Sequence, residues 1–128
     1  MDFISVLIVD DSLYMRKVVA DALRKAGIEL DKIFEAANGA EALVVLAKNR
    51  VDLVLSDINM PVMDGLGFIQ ALAKVKNAKG VPVVMLTTEG YEAQVLKAIS
   101  LGARAYIRKP FSPDHIRQHI LPLLGVKK

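Results

Sequence analysis

Five short, β-branched apolar runs alternate with longer stretches of helical spacing, and this rhythm leaves few architectures open. The strands are predicted at 4–9, 32–36, 53–56, 81–86 and 103–107. Three are almost wholly apolar, as strands covered on both faces must be. The second is short and mixed, which suits an edge or near-edge place. Helices are predicted at 12–26, 40–49, 67–76 and 91–101, with a fifth starting at Ser112. In the first, Met15, Val18, Val19, Ala22 and Leu23 follow i, i+3, i+4 spacing, and Gly27 ends it. Gly102 ends the fourth in the same way. Ser112, Pro113 and Asp114 make a clear start for the last: a cap, a residue fit for the first helical position and a charge that suits the positive end. Pro122 bends or ends that helix. Strands alternating with helices predict an α/β fold, a doubly wound five-stranded parallel sheet of order 2-1-3-4-5 with five helices and right-handed crossovers.

A length of 128 residues fits a single domain, 1–128. A chain this size buries roughly two thirds of its unfolded surface, so it needs neither disulfides nor a structural metal. The composition, 53% hydrophobic and 24% charged, is that of a globular protein. With no cysteine there is neither a disulfide framework nor a thiolate metal site, which is compatible with a reducing, cytoplasmic setting. The amino terminus lacks the basic region of a signal peptide, and no apolar run approaches the ~20 residues of a membrane span. The net charge of +3 is scattered rather than gathered into a stripe, so neither nucleic acid nor membrane is an expected partner.

Three carboxylates stand where two core strands end. Asp10 and Asp11 follow the apolar run Phe3 to Val9, and Asp57 follows Leu53 to Ser56. In a sheet of this order, ligands bind at the carboxyl ends of the strands, between strands one and three, where the winding direction reverses. Singly, each aspartate reads as a loop or helix-end residue. Together in one crevice they repel, and a magnesium ion relieves that repulsion, since it takes oxygen ligands and bridges carboxylates to phosphoryl oxygens. Thr87 and Thr88 follow strand four, where a hydroxyl can bond a phosphoryl oxygen. Lys109 follows strand five, where an ammonium can neutralise the same group. A carboxylate can act as nucleophile and become an aspartyl phosphate, chemistry that needs mainly positioning and charge stabilisation.

The blocks "LIVDDS", "LSDINMPVMDG", "VVMLTTEG" and "YIRKPF" resemble, in order and spacing, the receiver domain of bacterial response regulators, a flavodoxin-like fold. "DDSLYMR" and the end of the chain after the fifth helix are similar to single-domain, chemotaxis-type (CheY-like) receivers. The resemblance implies that Asp57 accepts a phosphoryl group from a histidine kinase. It implies that Asp10, Asp11, Asp57 and the Asn59 backbone carbonyl bind magnesium. By the same resemblance Thr87 and Lys109 hold the phosphoryl group, Tyr106 changes rotamer with Thr87, and Asn59 and Glu89 govern its lifetime. Lys109-Pro110 resembles the family's cis peptide. The implied protein is a phosphoacceptor switch that assists its own phosphorylation and dephosphorylation rather than an enzyme. Its kinase would dock near the first helix and Phe111, with Met15 as a contact. Phosphorylation would change the face made by 89–101 and 106–118. A separate protein, first of all a flagellar motor switch, would read that face, and the chain is expected to be a monomer.

Other readings are weaker. A phosphorelay intermediate or a non-phosphorylated receiver scaffold would keep the same fold. A phosphatase of the haloacid-dehalogenase type wants an acid two residues after its nucleophile, where this chain has Asn59. A flavin carrier needs an anion-binding first loop, which Asp10-Asp11 would repel. His115 and His119 have metal-ligand spacing on the last helix but no third ligand in the pattern, so they are expected to be solvent-facing. Ile58 is expected to be partly exposed beside the pocket, and Met85 to be core.

Overall fold

The computed structural model describes residues 3–88 and 92–124. Its elements are β1 (Ile4–Val9), α1 (Leu13–Lys25), β2 (Leu30–Ala36), α2 (Gly39–Lys48), β3 (Leu53–Asp57), α3 (Gly65–Leu72), β4 (Val83–Thr87), α4 (Glu92–Ser100), β5 (Ala105–Arg108) and α5 (Pro113–Ile120). Short 3₁₀ turns follow α3 and α5. The five strands pair in parallel in the order β2-β1-β3-β4-β5, as the alternation of elements predicts.

Strand alternation divides the core between the two faces of the sheet. Leu7, Val9, Val54, Val83 and Met85 point toward α2, α3 and α4 and meet Ala42, Leu46, Phe68, Ile69 and Ala98. Val6, Ile8, Leu53, Leu55, Val84 and Leu86 point the other way and meet Val19, Leu23, Ile116 and Ile120 of α1 and α5. Val6 to Val9 are all fully buried. Each such side chain stabilises the fold by roughly 1.5–3 kcal/mol.

Helix starts follow their caps. Ser12, Asn38, Asp64 and Ser112 each accept a hydrogen bond from the backbone N–H three residues on. At α5 the box is reciprocal, with the Ser112 N–H donating to His115 Nδ1. Gly27 and Gly102 take positive φ, 84° and 123°, just past α1 and α4, as their sequence positions predict.

Several boundaries shift from the sequence expectation, each for a local reason. Helix α3 starts at Gly65 rather than Gly67 because Asp64 caps it, and it stops at Leu72 before the 3₁₀ turn at Lys76–Ala78. Strand β4 starts at Val83 because Pro82 has no N–H for the ladder. Strand β5 starts at Ala105 because Ala103 N–H is still bonded to Ala98 O at the end of α4. Strand β2 reaches back to Leu30, which pairs with Ile4 across an irregular step that sequence periodicity does not reveal. Pro122 lies in the 3₁₀ turn Leu121–Leu124, so α5 ends just before it.

The loop after β3 is held tightly. Gly65 N–H donates to Ile58 O at 2.7 Å and closes it. A methyl group on Gly65 would lie 2.6 Å from Asp57 O and 2.9 Å from Ile58 Cα, so only glycine allows this approach. Within the loop, Met63 N–H donates to Pro61 O around Val62, whose φ is 67°. A β-branched residue in that region is strained, and Val62 is 85% exposed, so packing offers little compensation. Replacing Val62 with Asn should therefore raise unfolding stability by about 1 kcal/mol, whereas Gly65→Ala should lower it by roughly 1–3 kcal/mol through overpacking. Urea titration of the two variants checks both signs.

Candidate acidic phosphoacceptor site

The ends of β1, β3, β4 and the segment after β5 meet at the carboxyl-terminal end of the sheet. Strand parity aims their side chains. Asp10 continues the parity of Val6 and Ile8, Asp57 that of Leu53 and Leu55, and Lys109 that of Ala105 and Ile107. All three therefore belong to the α1 and α5 side. Thr87 continues the opposite parity, that of Val83 and Met85.

Asp10 is 1% exposed and is held at every polar group the backbone and side chain offer. Its N–H donates to Ala36 O, its Oδ1 accepts from Ser12 N–H at 2.9 Å, and its Oδ2 lies 3.4 Å from Lys109 Nζ. Its carbonyl accepts from Arg16 Nη1 at 2.6 Å. Asp11 is exposed beside it. Asp57 Oδ1 accepts from Ile58 N–H at 2.8 Å, and Oδ2 lies 3.7 Å from Lys109 Nζ. Carboxylate oxygens of Asp10, Asp11 and Asp57 all lie within 4.8 Å of one another. Lys109 precedes a cis peptide bond to Pro110, as the family resemblance implies, and its N–H donates to Thr87 O at 2.6 Å.

Above the aspartates opens a cleft of about 290 Å³ lined by Asp11, Asp57, Ile58, Asn59, Thr87 and Lys109, with Thr88 at its edge. Thr87 is buried, and its Oγ1 donates to Thr88 O at 3.1 Å. Behind Thr87 lies a second cavity of about 200 Å³, which Thr87 shares with Val95, Leu96, Tyr106 and Arg108. Tyr106 is half-exposed at its mouth.

The Asp57 carboxyl is pushed above its ordinary value of 3.8. Burial is the largest cause. The Lys109 ammonium opposes it, the Asp10 carboxylate adds to it, and the N–H groups of Ile58 and Asn59 oppose it. Burial thus outweighs the cation.

The structure gathers Asp10, Asp11, Asp57, Asn59, Thr87 and Lys109 into one place, and sets Tyr106 one cavity away. Glu89 lies outside the described residues. Ile58 departs from expectation: it is buried, because its side chain joins Met60, Phe68 and Met85 in the core under α3. His115 and His119 are exposed as expected, and neither joins a group of three metal-competent side chains among the described residues. Two residues escaped the sequence reading. Ser56 Oγ donates to Asp57 O at 2.8 Å, and Arg16 binds the Asp10 carbonyl. A signal for Arg16 exists: a cation near the start of α1 opposes the helix dipole and needs a local reason.

A deep carboxylate cluster at the switch point of such a sheet defines a class, and known proteins agree with it. The family model described as the response regulator receiver domain matches residues 6–121. A Chemotaxis protein CheY homolog of Campylobacter jejuni is 38% identical over 93% of this chain and 91% of its own length. The structure of chemotaxis response regulator CheY4 of Vibrio cholerae is 36% identical with a TM-score of 0.82, over 96% of this chain and 100% of that one. The receiver domain of sensor histidine kinase PA1611 from Pseudomonas aeruginosa, solved with magnesium in its active site cleft, shares the fold at TM-score 0.84 and 23% identity, over 98% of this chain and 100% of its own. The chain belongs to the response regulator receiver domain family. Chemotaxis proteins of the CheY type are among its curated relatives, and receivers of this type are signalling switches of two-component systems rather than enzymes in the usual sense.

The raised Asp57 value has a signed consequence. The folded chain binds this proton more tightly than the unfolded chain, so the group's contribution to stability is complete below 3.8 and is lost as pH rises through the raised value. Metal-free Asp57→Asn should therefore gain stability over the parent chain as pH rises from about 4 to neutrality, and the two should converge in acid. Urea midpoints across that range test this, and a difference that does not vary with pH would contradict it.

Proposed function

We propose that Asp57 is the phosphoacceptor of a chemotaxis-type switch and takes its phosphoryl group from a phosphohistidine of a histidine kinase. One observation carries the reading: Asp57 lies close to Asp10, Asp11 and Lys109 beside a cleft lined, among the described residues, by strand ends. An ionised Asp57 oxygen attacks phosphorus, a new O–P bond forms, and the N–P bond to the donor histidine breaks. The proton needed by the departing imidazole comes from the donor side or solvent. Burial, which raises the Asp57 value, also strips water from the attacking oxygen.

The donor set fits magnesium. Three carboxylates within 4.8 Å offer hard oxygen ligands to an ion that prefers them. Asp10, Asp11, Asp57 and the Asn59 carbonyl would hold it, in keeping with the magnesium in the receiver of PA1611. When bound, the ion neutralises charge shared by the carboxylates and the phosphoryl oxygens. Lys109 Nζ, already near two carboxylates, supplies a further positive charge to the same oxygens.

The new group adds nearly two negative charges at the end of β3. Thr87 Oγ1 leaves Thr88 O and donates to a phosphoryl oxygen. Its departure enlarges the cavity it shares with Tyr106, and the ring turns inward. The face of α4, β5 and α5 then differs between the two states, and a partner that prefers one shifts the population. On this reading the chain acts as a cytoplasmic monomer, and the partner that reads the face is a separate protein, first of all a flagellar motor switch. Asn59 and Glu89 set the lifetime of the phosphoryl group, in keeping with the family resemblance.

Intact mass after incubation with acetyl phosphate tests the chemistry. A single magnesium-dependent phosphoryl adduct is expected on the parent chain and none on Asp57→Asn. Equal labelling of the variant would overturn the assignment. No adduct from either acetyl phosphate or a phosphorylated kinase would leave a scaffold that keeps the residues without the reaction.

A further inference from the structure

We infer that Arg16 and Glu35 form a charge-neutral clamp that positions the acidic site through the Asp10 backbone. The inference rests on reading the aspartate cluster as a cation site. Arg16 is a positioning residue here, since it touches neither the cleft nor a carboxylate of the cluster.

The geometry is specific. Arg16 lies in the second turn of α1, yet its guanidinium reaches back to the end of β1, where Nη1 donates to Asp10 O at 2.6 Å. Nε of the same group donates to Glu35 Oε1 on β2 at 2.7 Å. Only 15% of the Arg16 side chain is exposed, against 40% for Glu35. One planar group thus ties α1, the residue that follows β1 and the neighbouring strand together. Glu35 is itself fixed, because it pairs with Ile8 in the parallel ladder. The Asp10 carbonyl is thereby held by Arg16 while its carboxylate is held by Ser12 N–H, so the peptide that links Asp10 to Asp11 has little freedom to rotate.

Why a pair and not a lone cation follows from electrostatics. A free guanidinium this close would repel a divalent cation. Glu35 cancels that charge and leaves the two-pronged hydrogen bonding intact, which a flexible ammonium cannot reproduce. The clamp can therefore organise the site without opposing its ligand.

This separates positioning from simple charge by sign. Removing Arg16 alone exposes the Glu35 charge, and electrostatics by itself would then tighten cation binding. Positioning predicts weaker binding. In Arg16→Met/Glu35→Gln the net charge returns to that of the parent, and only the clamp is lost.

The test is calorimetric titration of the unphosphorylated full chain with magnesium chloride, alongside urea denaturation without metal. Supporting residues of this kind typically change metal affinity 10–100-fold, and about tenfold weaker binding is expected for Arg16→Met/Glu35→Gln. Arg16→Met should also weaken binding despite its more favourable charge. Arg16→Lys, the mildest change and the safeguard should the others not fold, should fall between them and the parent. Unchanged or tighter binding by the folded variants, with any loss confined to the urea midpoint, would reduce the clamp to a structural tie and overturn the inference. A parent chain that binds no magnesium would instead overturn the reading of the cluster as a cation site, and the clamp's role with it.

Discussion

Three carboxylates held within a few ångströms of one another repel, and water is largely barred from softening that repulsion at Asp10, which is almost fully buried. Most of the site answers this one constraint. Lys109 stands 3.4 Å from Asp10 and 3.7 Å from Asp57, a single ammonium shared by two anions. Backbone N–H groups of Ser12 and Ile58 hold one oxygen of each. These partners do not cancel the cost at Asp57, where burial still wins and holds the carboxyl upward. Asp57 is therefore left with a net cost to its charged form at the point where the proposed phosphoryl transfer would take place. On the proposed function, stability given up at this spot is what a bound cation or phosphoryl group would recover.

Much of this was legible in the sequence because strands and chemistry coincide there. Asp10 and Asp57 end apolar runs, so recognising the strands also located the carboxylates. Thr87 and Lys109 were placed the same way. The sheet order followed from alternation and the handedness of crossovers. What stayed hidden depends on partners far apart in the chain. Ile58 looked exposed because its neighbours in sequence are polar, whereas its burial comes from Phe68 and Met85. Arg16 went unread, since its partner Glu35 is nineteen residues away on another element. The late start of β5 was masked because Ala103 is apolar enough for a strand yet is spent on ending α4.

The acidic cleft and the face of α4 and β5 are joined by little material. Thr87 lines both the acidic cleft and the cavity beneath Tyr106, so on the proposed function one hydroxyl rotation would report from one to the other. Nearby, Arg108 on β5 is ion-paired to Glu92 at the start of α4 at 2.9 Å, half-exposed and open to salt. An exposed pair contributes little to folding. It does give the two elements a preferred spacing that remains easy to change.

Strand parity places Asp10, Asp57 and Lys109 on one side of the sheet and Thr87 on the other. That arrangement constrains how such a chain can diverge. Adding or deleting one residue inside β3 would rotate Asp57 to the side of α2 and α4, away from its lysine, and would turn Leu53 and Leu55 against the wrong helices. The same length change placed between Ser100 and Ala105, or in the segment after Leu72, would cost only a loop rearrangement. Descent should therefore have recorded its insertions and deletions in those connectors, while the strands drift by substitution at fixed length.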